Sequence, residues 1–506
     1  MSAATASTGS AALEYLASGH QPPDALPAAD AMRLPPVHKR YPAAVRRTLP
    51  DRPEARDADP LRRLSWLLHR AGGLTRMRWM SGIMPLGLGS PAARRQLLSP
   101  GRTAAASGSR YPVELYLAHP AMDGLPAGLS HYDPVHHTLE SLREGDGRHL
   151  ITPLLAEPPD RGTEFVLLLS SVLWRNMAKY GVFGYRLQSL DVGVATAQAV
   201  AAAEATGLTA TVHLRYEDGA LDELLGLTPF AESVFAVITL HRPDAPPAVP
   251  SARRHGEVPA ARPEPVPISE IPALAEAAAL HAAIHRAAPG DFGDATPAPR
   301  PLPDGPRHPL PPTTLALADG FPGRRTAYGF RPAPVPRRTL AALLAAAGEP
   351  VAAGIPVQLA GVVQRIPEVE TGAYLYDAVT HALIGTRRAD AVRDVLAAAK
   401  SPMLADECRT ATAVLAPCGD PRAGVERHGD RWYRAQNIVA GAAAQRIALA
   451  AAAAGLESHV HCDFDPAGLR SALGLTPGPL QPLVLVTVGP RAPDRTDPHL
   501  PLRAGF

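Results

Sequence analysis

Cysteine is nearly absent from this sequence. Its 506 residues hold three, Cys408, Cys418 and Cys462, with no CxxC pair and an odd total. That argues against a disulfide framework or a structural zinc site and points to a reducing, cytoplasmic setting. Excess charge is absent too: 50 basic residues stand against 48 acidic ones, a formal net charge of +2. Such a balance leaves no electrostatic footprint for nucleic acid or an anionic membrane. No apolar run reaches the ~18 residues that suggest a membrane span. The opening stretch (MSAATASTGSAALEYLASG) lacks the basic start and apolar core of a secretory signal. Familiar catalytic signatures are missing. The glycine cluster LGLGS at 86–90 has neither the lysine nor the spacing of a phosphate loop, and no HExxH or GxSxG occurs.

What the sequence does have is length, apolar content and a repeat. At 46% hydrophobic residues it can fill two or more cores of ~100–200 residues each. The repeat first reads Lys179-Tyr180-Gly181, Tyr185-Arg186-Leu187-Gln188, Gly193, then an Ala-rich helix ending at Gly207-Leu208. It returns as Arg427-His428-Gly429, Tyr433-Arg434-Ala435-Gln436, Gly441, and an Ala-rich helix ending at Gly455-Leu456. The offset is 248 residues throughout, which marks duplicated domains rather than a solenoid. The Tyr, Arg, Gln and Gly positions persist, whereas the Lys-Tyr pair does not. One working half and one supporting half are expected.

Periodicity predicts a helix at 61–74, a strand at 111–118 and a hairpin at 130–140 turning at Asp133-Pro134. A buried strand at 165–170, helices at 189–206 and 218–225, and a strand at 233–240 follow. Residues 1–60 read as partly irregular. Residues 372–383 echo the hairpin, and the strand-helix-strand ending returns near the C-terminus. The class is mixed α+β. Many of the 56 prolines fall between about 242 and 312, a semi-rigid connector with a helix expected at 271–287. The expected division is residues 1–242, a connector at 243–320, and 321–506.

Four segments are candidates for chemistry, and each also has a plain structural reading. The small-residue loop in 101–116 (GRTAAASGSRYPVELY) lets backbone N–H groups approach a flat or anionic ligand, with Arg102 supplying charge; it reads equally as a surface loop. Lys179 and Tyr180 follow a buried strand. A buried lysine can be a general base and a tyrosine can relay a proton, or the pair is a solvated lysine beside a packed tyrosine. Gly207, Leu208 and Thr209 either let backbone approach a ring or cap a helix. Arg324 and Arg325, in GRRTAYGF at 323–330, are a phosphate grip or a basic surface turn. His459 and His461 share a strand face, but no third ligand is evident, so no metal site is assigned.

Taken in order, these segments resemble the flavin-dependent nitroreductase-like superfamily, and within it the SagB-type dehydrogenases of thiazole/oxazole-modified peptides. The resemblance rests on Arg102 through Ser107-Gly108-Ser109 to Tyr111-Pro112, the Gly128–Pro134 hairpin, the Lys179-Tyr180-Gly181 to Tyr185-Arg186 block, and the helix from Gly193 to Leu208. It covers residues 35–242. Ala105-Ala106 replace the branch's Pro-Ser, and Arg110 replaces an apolar residue. The second half resembles a diverged copy, with Arg324-Arg325-Thr326 for the superfamily's Arg-Arg-Ser opening and Arg427-His428 for Lys-Tyr.

The resemblance implies two tandem nitroreductase-like domains, each an antiparallel-rich sheet flanked by helices. They would form a pseudo-dimer within the chain, or a homodimer, around FMN. It further implies FMN-dependent oxidation of thiazoline or oxazoline rings in a ribosomally made peptide, with oxygen re-oxidising the flavin. Lys179 and Tyr180 would be catalytic, as base and proton relay in either assignment. Arg102, Ser107, Gly108, Ser109, Arg186, Gly207, Leu208, Thr209, Arg324 and Arg325 would hold the cofactor. Partners would be an azoline-containing precursor peptide and cyclodehydratase (YcaO-type) enzymes. Three alternatives stay open: an NAD(P)H-dependent small-molecule nitroreductase, a flavin oxidase acting on another peptide such as a thiopeptide intermediate, and a flavin-free peptide-binding scaffold.

Overall fold

The computed structural model describes residues 9–22, 36–50, 59–80, 97–248, 274–287, 302–303, 305–387, 390–493 and 498–502. In the first half the strands are β1 (Val45–Thr48), β2 (Leu74–Met80), β3 (Leu97–Arg102), β4 (Val113–His119), β5 (Gly128–Asp133), β6 (Thr138–Glu144), β7 (Phe165–Val172), β8 (Thr209–His213) and β9 (Glu232–His241). The second half has β10 (Arg307–Pro309), β11 (Gln358–Val363), β12 (Gly372–Asp377), β13 (Ala382–Arg387), β14 (Ala413–Gly419), β15 (Leu456–His461), β16 (Gln481–Pro482), β17 (Leu485–Pro490) and β18 (His499–Pro501).

The duplication extends to the order of the two large sheets. One sheet runs β1-β6-β5-β4-β7-β9-β8 and the other β10-β13-β12-β11-β14-β17-β15, so each strand of one order has a counterpart in the same place of the other, while β16 pairs with β14 outside it. Every pairing is antiparallel. The central β7 (FVLLLSSV) is buried at every residue, as expected of a strand covered on both faces.

Two long helices, Gly184–Ala205 and Arg431–Ala453, join the halves. Neither shows a polar stripe, and both are buried almost throughout, because each lies between its sheet and the other helix. They cross where the repeat keeps glycine. A Cβ on Gly193 would collide with the Ile438 carbonyl, and one on Gly441 with the Leu190 carbonyl. The backbones can approach this closely only without side chains. One core accordingly contains Tyr185 and Val192 together with Trp432, Tyr433, Ile438 and Val439.

Polar groups lock the same seam. Arg431 and Arg434 both donate to Asp218, at the start of the helix Asp218–Leu225, and all three are buried. Burial raises the Asp218 pKa, but the two guanidiniums outweigh it and hold the group ionised. The chain ends add to the lock. The helix Ser10–Ser18 sits against both halves, with Tyr15 donating to the Val182 carbonyl (2.7 Å) and Ala12 N–H to Asp430 Oδ1 (2.7 Å). β18 returns to pair with β2 beside β3.

Several boundaries differ from the sequence reading. The first long helix begins at Gly184, before the expected 189, because the buried Arg186 and Gln188 bond to carbonyls instead of breaking it. The strand expected from Tyr111 begins at Val113, since Tyr111 holds φ 46. The N-terminal stretch, read as irregular, contributes the helix just named. The connector contributes β10 and the helix Ala275–Arg286, whose Ala277, Leu280 and Ile284 pack into the shared core. The expected start of that helix at 271 lies outside the described residues. Among the described residues no helix is long and apolar enough to cross a membrane.

Replacing Gly193 by alanine is expected to destabilise the chain by ~3 kcal/mol or more, since two backbones must separate. Gly207→Ala is the control: its φ is +81 but its Cβ would meet nothing within 4 Å, and the expected cost is ~1 kcal/mol. Urea unfolding of both variants checks the ordering.

Candidate functional site

The loop between β3 and β4 is under backbone strain. Gly108, Ser109 and Tyr111 hold φ of 55, 57 and 46, the left-handed region that costs a non-glycine residue roughly 1–2 kcal/mol. The loop is held there from one side. Ser107 donates through both N–H and Oγ to Asp191 Oδ1, each at 3.0 Å, and Asn176 Nδ2 donates to Asp191 Oδ2 at 2.9 Å. Asp191 comes from the first long helix and Asn176 from the helix Leu173–Tyr180.

Those contacts press Gly108 onto the end of the helix Leu173–Tyr180. A Cβ on Gly108 would stand 2.7 Å from Lys179 Nζ and closer still to the Tyr180 hydroxyl. A side chain there would displace both tips, and the φ of 55 favours glycine. Lys179 Nζ lies 4.9 Å from the centre of the Tyr180 ring. Gly181, at φ 59 and ψ −143, ends that helix and lets the chain turn into the long helix.

Burial sets the protonation of this group. It lowers the Lys179 pKa, helped by the nearby charge of Arg110. It raises that of Tyr180, with Asp191 adding to the effect. It lifts Asp191 to about 7 against the opposing bonds from Asn176 and Ser107. Lys179 is therefore the easier group to deprotonate, and Tyr180 the one that keeps its proton. Cys462, from the second half, faces the same cluster; burial raises its thiol to about 11.

Arginines from both halves gather on the other side of the loop. Arg76 donates to the carbonyls of Arg102 and Arg324, both at 2.7 Å, and Arg78 Nη2 lies 3.3 Å from Ser109 Oγ. Arg324 is 4% exposed, and its Nε has no partner. Burial, with Arg76, Arg78 and Arg325 nearby, pushes its pKa down to about 9. Arg325 lies 3.5 Å from Glu457. Among the described residues neither Arg76 nor Arg324 has a carboxylate partner. Buried guanidiniums without counter-charge fit a phosphate. Arg102 turns inward, bonding the Val113 carbonyl at 3.2 Å and lying over the Tyr111 ring.

Thus Arg102, Ser107, Gly108, Ser109, Lys179, Tyr180, Arg324 and Arg325 meet around one loop. The other expected positions make different contacts. Arg186 donates to the carbonyls of His20 and Leu483 and ties the seam. Gly207 and Leu208 close the long helix, with Gly207 N–H to Glu204 O and Leu208 N–H to Ala203 O, a Schellman cap. Thr209 opens the edge strand β8. The cavity behind the loop, lined by Arg102, Ala104, Ala106, Tyr111 and Asp191, is about 20 Å³. It has room for about one water and none for a ring.

Sequence reasoning missed Asp191, Asn176, Arg76 and Arg78. Asp191 left a signal, as the one acidic residue in the first twenty of that Ala-rich helix. The residues 248 positions on from Asn176, Tyr180 and Asp191 are Gly424, His428 and Val439. His428 is buried and stacks on Trp432 at 4.5 Å. The second half thus lacks both the acid and the hydroxyl.

Residues 322–490 match the Nitroreductase family, whose members generally bind flavin. A crystal structure of a candidate nitroreductase from Anabaena variabilis is similar over 95% of this chain and 99% of its own, with a TM-score of 0.74 and 21% identity. At that identity the likeness speaks for the fold alone, and it extends over both halves: the fold is nitroreductase-like, with two α+β domains. The trifolitoxin-processing protein TfxB of Rhizobium leguminosarum bv. trifolii is 26% identical over 141 residues, 27% of this chain. The chain spans 38% of the length of that relative.

A carboxyl raised to about 7 in the folded state gives a pH signature. Unfolded, Asp191 would titrate near its ordinary value, so its contribution is full below pH ~4 and is lost as pH rises through 7. Between those limits the wild type is expected to lose stability relative to Asp191→Asn, by at most about 1.4 kcal/mol per pH unit. Urea midpoints of both proteins across that range check it.

Proposed function

We propose that this protein is an FMN-dependent dehydrogenase that oxidises thiazoline or oxazoline rings of a ribosomally made peptide to thiazole or oxazole. The observation that carries the reading is the contact of Gly108 with Lys179 and Tyr180, beside a cationic cluster drawn from both halves. It unites a deprotonatable amine, a protonated hydroxyl and a phosphate-like anion site on one loop. The similarity to a protein that processes trifolitoxin supports a peptide product as the class of substrate.

The residues present fit FMN at its charged end. Arg76, Arg78, Arg324 and Arg325 would hold the phosphate, and the loop of Ser107, Gly108 and Ser109, exposed at Gly108, would face the flavin. When bound, FMN supplies the two-electron acceptor for the hydride that leaves the ring. The chain's own residues handle the proton. The ring α-carbon proton is acidified by the adjacent C=N and carbonyl. Lys179, its amine made easier to deprotonate by burial and Arg110, takes that proton. Tyr180, kept protonated, donates a hydrogen bond to the substrate where negative charge develops. Asp191 keeps Ser107 and the loop in register.

Purified full-length protein is expected to release about one FMN per chain. Lys179→Ala combined with Tyr180→Phe should keep the flavin and lose turnover of azoline peptides by roughly 100-fold or more. Unchanged turnover with flavin retained would overturn the assignment of these two residues. No flavin after incubation with FMN, together with tight binding of precursor peptide, would make the chain a scaffold.

A further inference from the structure

The two halves share a histidine–threonine pair that each has put to a different use. In the first half His213 on β8 lies 3.0 Å from Thr239 Oγ1 on β9. The same pair stands 248 residues on as His461 on β15 and Thr487 on β17. The registers agree: Thr211 is paired with Thr239, and His459 with Thr487. The second half departs at two places. Histidine 459 stands where the first half has Thr211, and Glu407 arrives from the helix Pro402–Thr410.

Glu407 lies between the two histidines. His459 Nδ1 is 3.0 Å from its Oε1 and His461 Nε2 is 2.6 Å from its Oε2. The three ligand atoms all lie within 4.8 Å of one another. The side chains of Glu407 and His461 are 0% and 4% exposed and that of His459 17%, so the group opens to solvent at one edge only. Thr487 donates to Glu407 Oε2 at 3.1 Å, the kind of outer contact that orients a ligating carboxylate.

We infer that Glu407, His459 and His461 form a binding site for a borderline divalent cation such as Zn²⁺ or Co²⁺. Two imidazoles and one carboxylate suit those ions, and three protein ligands leave one coordination position for water. In a tetrahedral site with metal–ligand bonds of ~2.0–2.2 Å, ligand atoms stand about 3.3 Å apart, so the two histidine–carboxylate contacts need to open by roughly 0.3 and 0.7 Å within a triad already gathered inside 4.8 Å. Both nitrogens must present lone pairs, so binding moves each ring's proton to its other nitrogen or to solvent. A plain hydrogen-bonded pair would not require this arrangement, since His213 and Thr239 manage without a carboxylate. Arg324, whose charge reaches His459, works against the ion and limits its affinity.

The test uses the full chain, stripped of metal by a chelator and titrated with Co²⁺ and with Zn²⁺. Its controls are His459→Thr, which restores the first half's residue, and Glu407→Gln. One ion per wild-type chain is expected, with Co²⁺ giving the visible absorption of a four-coordinate site, and each variant should weaken uptake at least about tenfold. Circular dichroism checks that both variants are folded. Wild-type uptake no greater than that of folded His459→Thr would overturn the inference, as would Co²⁺ bound equally by both through the cysteines.

Discussion

Everything in this molecule depends on the close crossing of two helices. With no side chain at Gly193 or Gly441, each helix backbone rests on the carbonyls of the other. That contact fixes the distance between the two sheets and merges their cores into one. It also makes both helices all-buried, which is why each is alanine-rich and unstriped. Interior alanine costs little conformational entropy and allows tight approach. Larger residues along this seam would separate the sheets and open the site that lies at the seam's edge.

The seam also carries charge in two contrasting forms. Asp218 with Arg431 and Arg434 is a buried network built around one carboxylate, which pairs with both guanidiniums. Breaking it by removing Asp218 leaves two buried cations, an arrangement that costs several kcal/mol. In the arginine group beside the loop, Arg325 has Glu457 nearby, while among the described residues Arg76 and Arg324 have no carboxylate partner. Burial lowers the pKa of Arg76 and of Arg324, and the neighbouring guanidiniums add to it.

Much of this was legible in the sequence. The constant spacing of Tyr185 with Tyr433 and of Gly193 with Gly441 implied duplication, and a nitroreductase-like fold with two domains is what the structure shows. The Lys179-Tyr180 pair and the small-residue loop stand together, as their order in the chain suggested. What was not legible is what comes from distance in sequence. Arg76 meets Arg324 across 248 residues, and Asp191 reaches Ser107 across 84. Arg186 was expected at the cofactor from the resemblance, and in the structure it and its counterpart Arg434 bond carbonyls or a carboxylate at the seam. Repetition therefore marks scaffold, and chemistry shows where repetition fails.

That rule can be applied position by position. A homodimer must build both of its interface sites from one sequence, so any residue that improves one improves the other. Joining the copies in one chain removes the constraint. Asp191 and Tyr180 could stay while their counterparts became Val439 and His428, and His428 now fills space by stacking on Trp432. In the opposite direction, Thr211 has a counterpart in His459, which meets Glu407. The first half keeps the polar loop, and the second half supplies arginines to that loop and gathers a histidine–carboxylate cluster of its own. Scaffold positions cannot diverge in this way, because Gly193 and Gly441 each depend on the other helix remaining as close as it is. The asymmetry of the sites is permitted by the symmetry of the crossing.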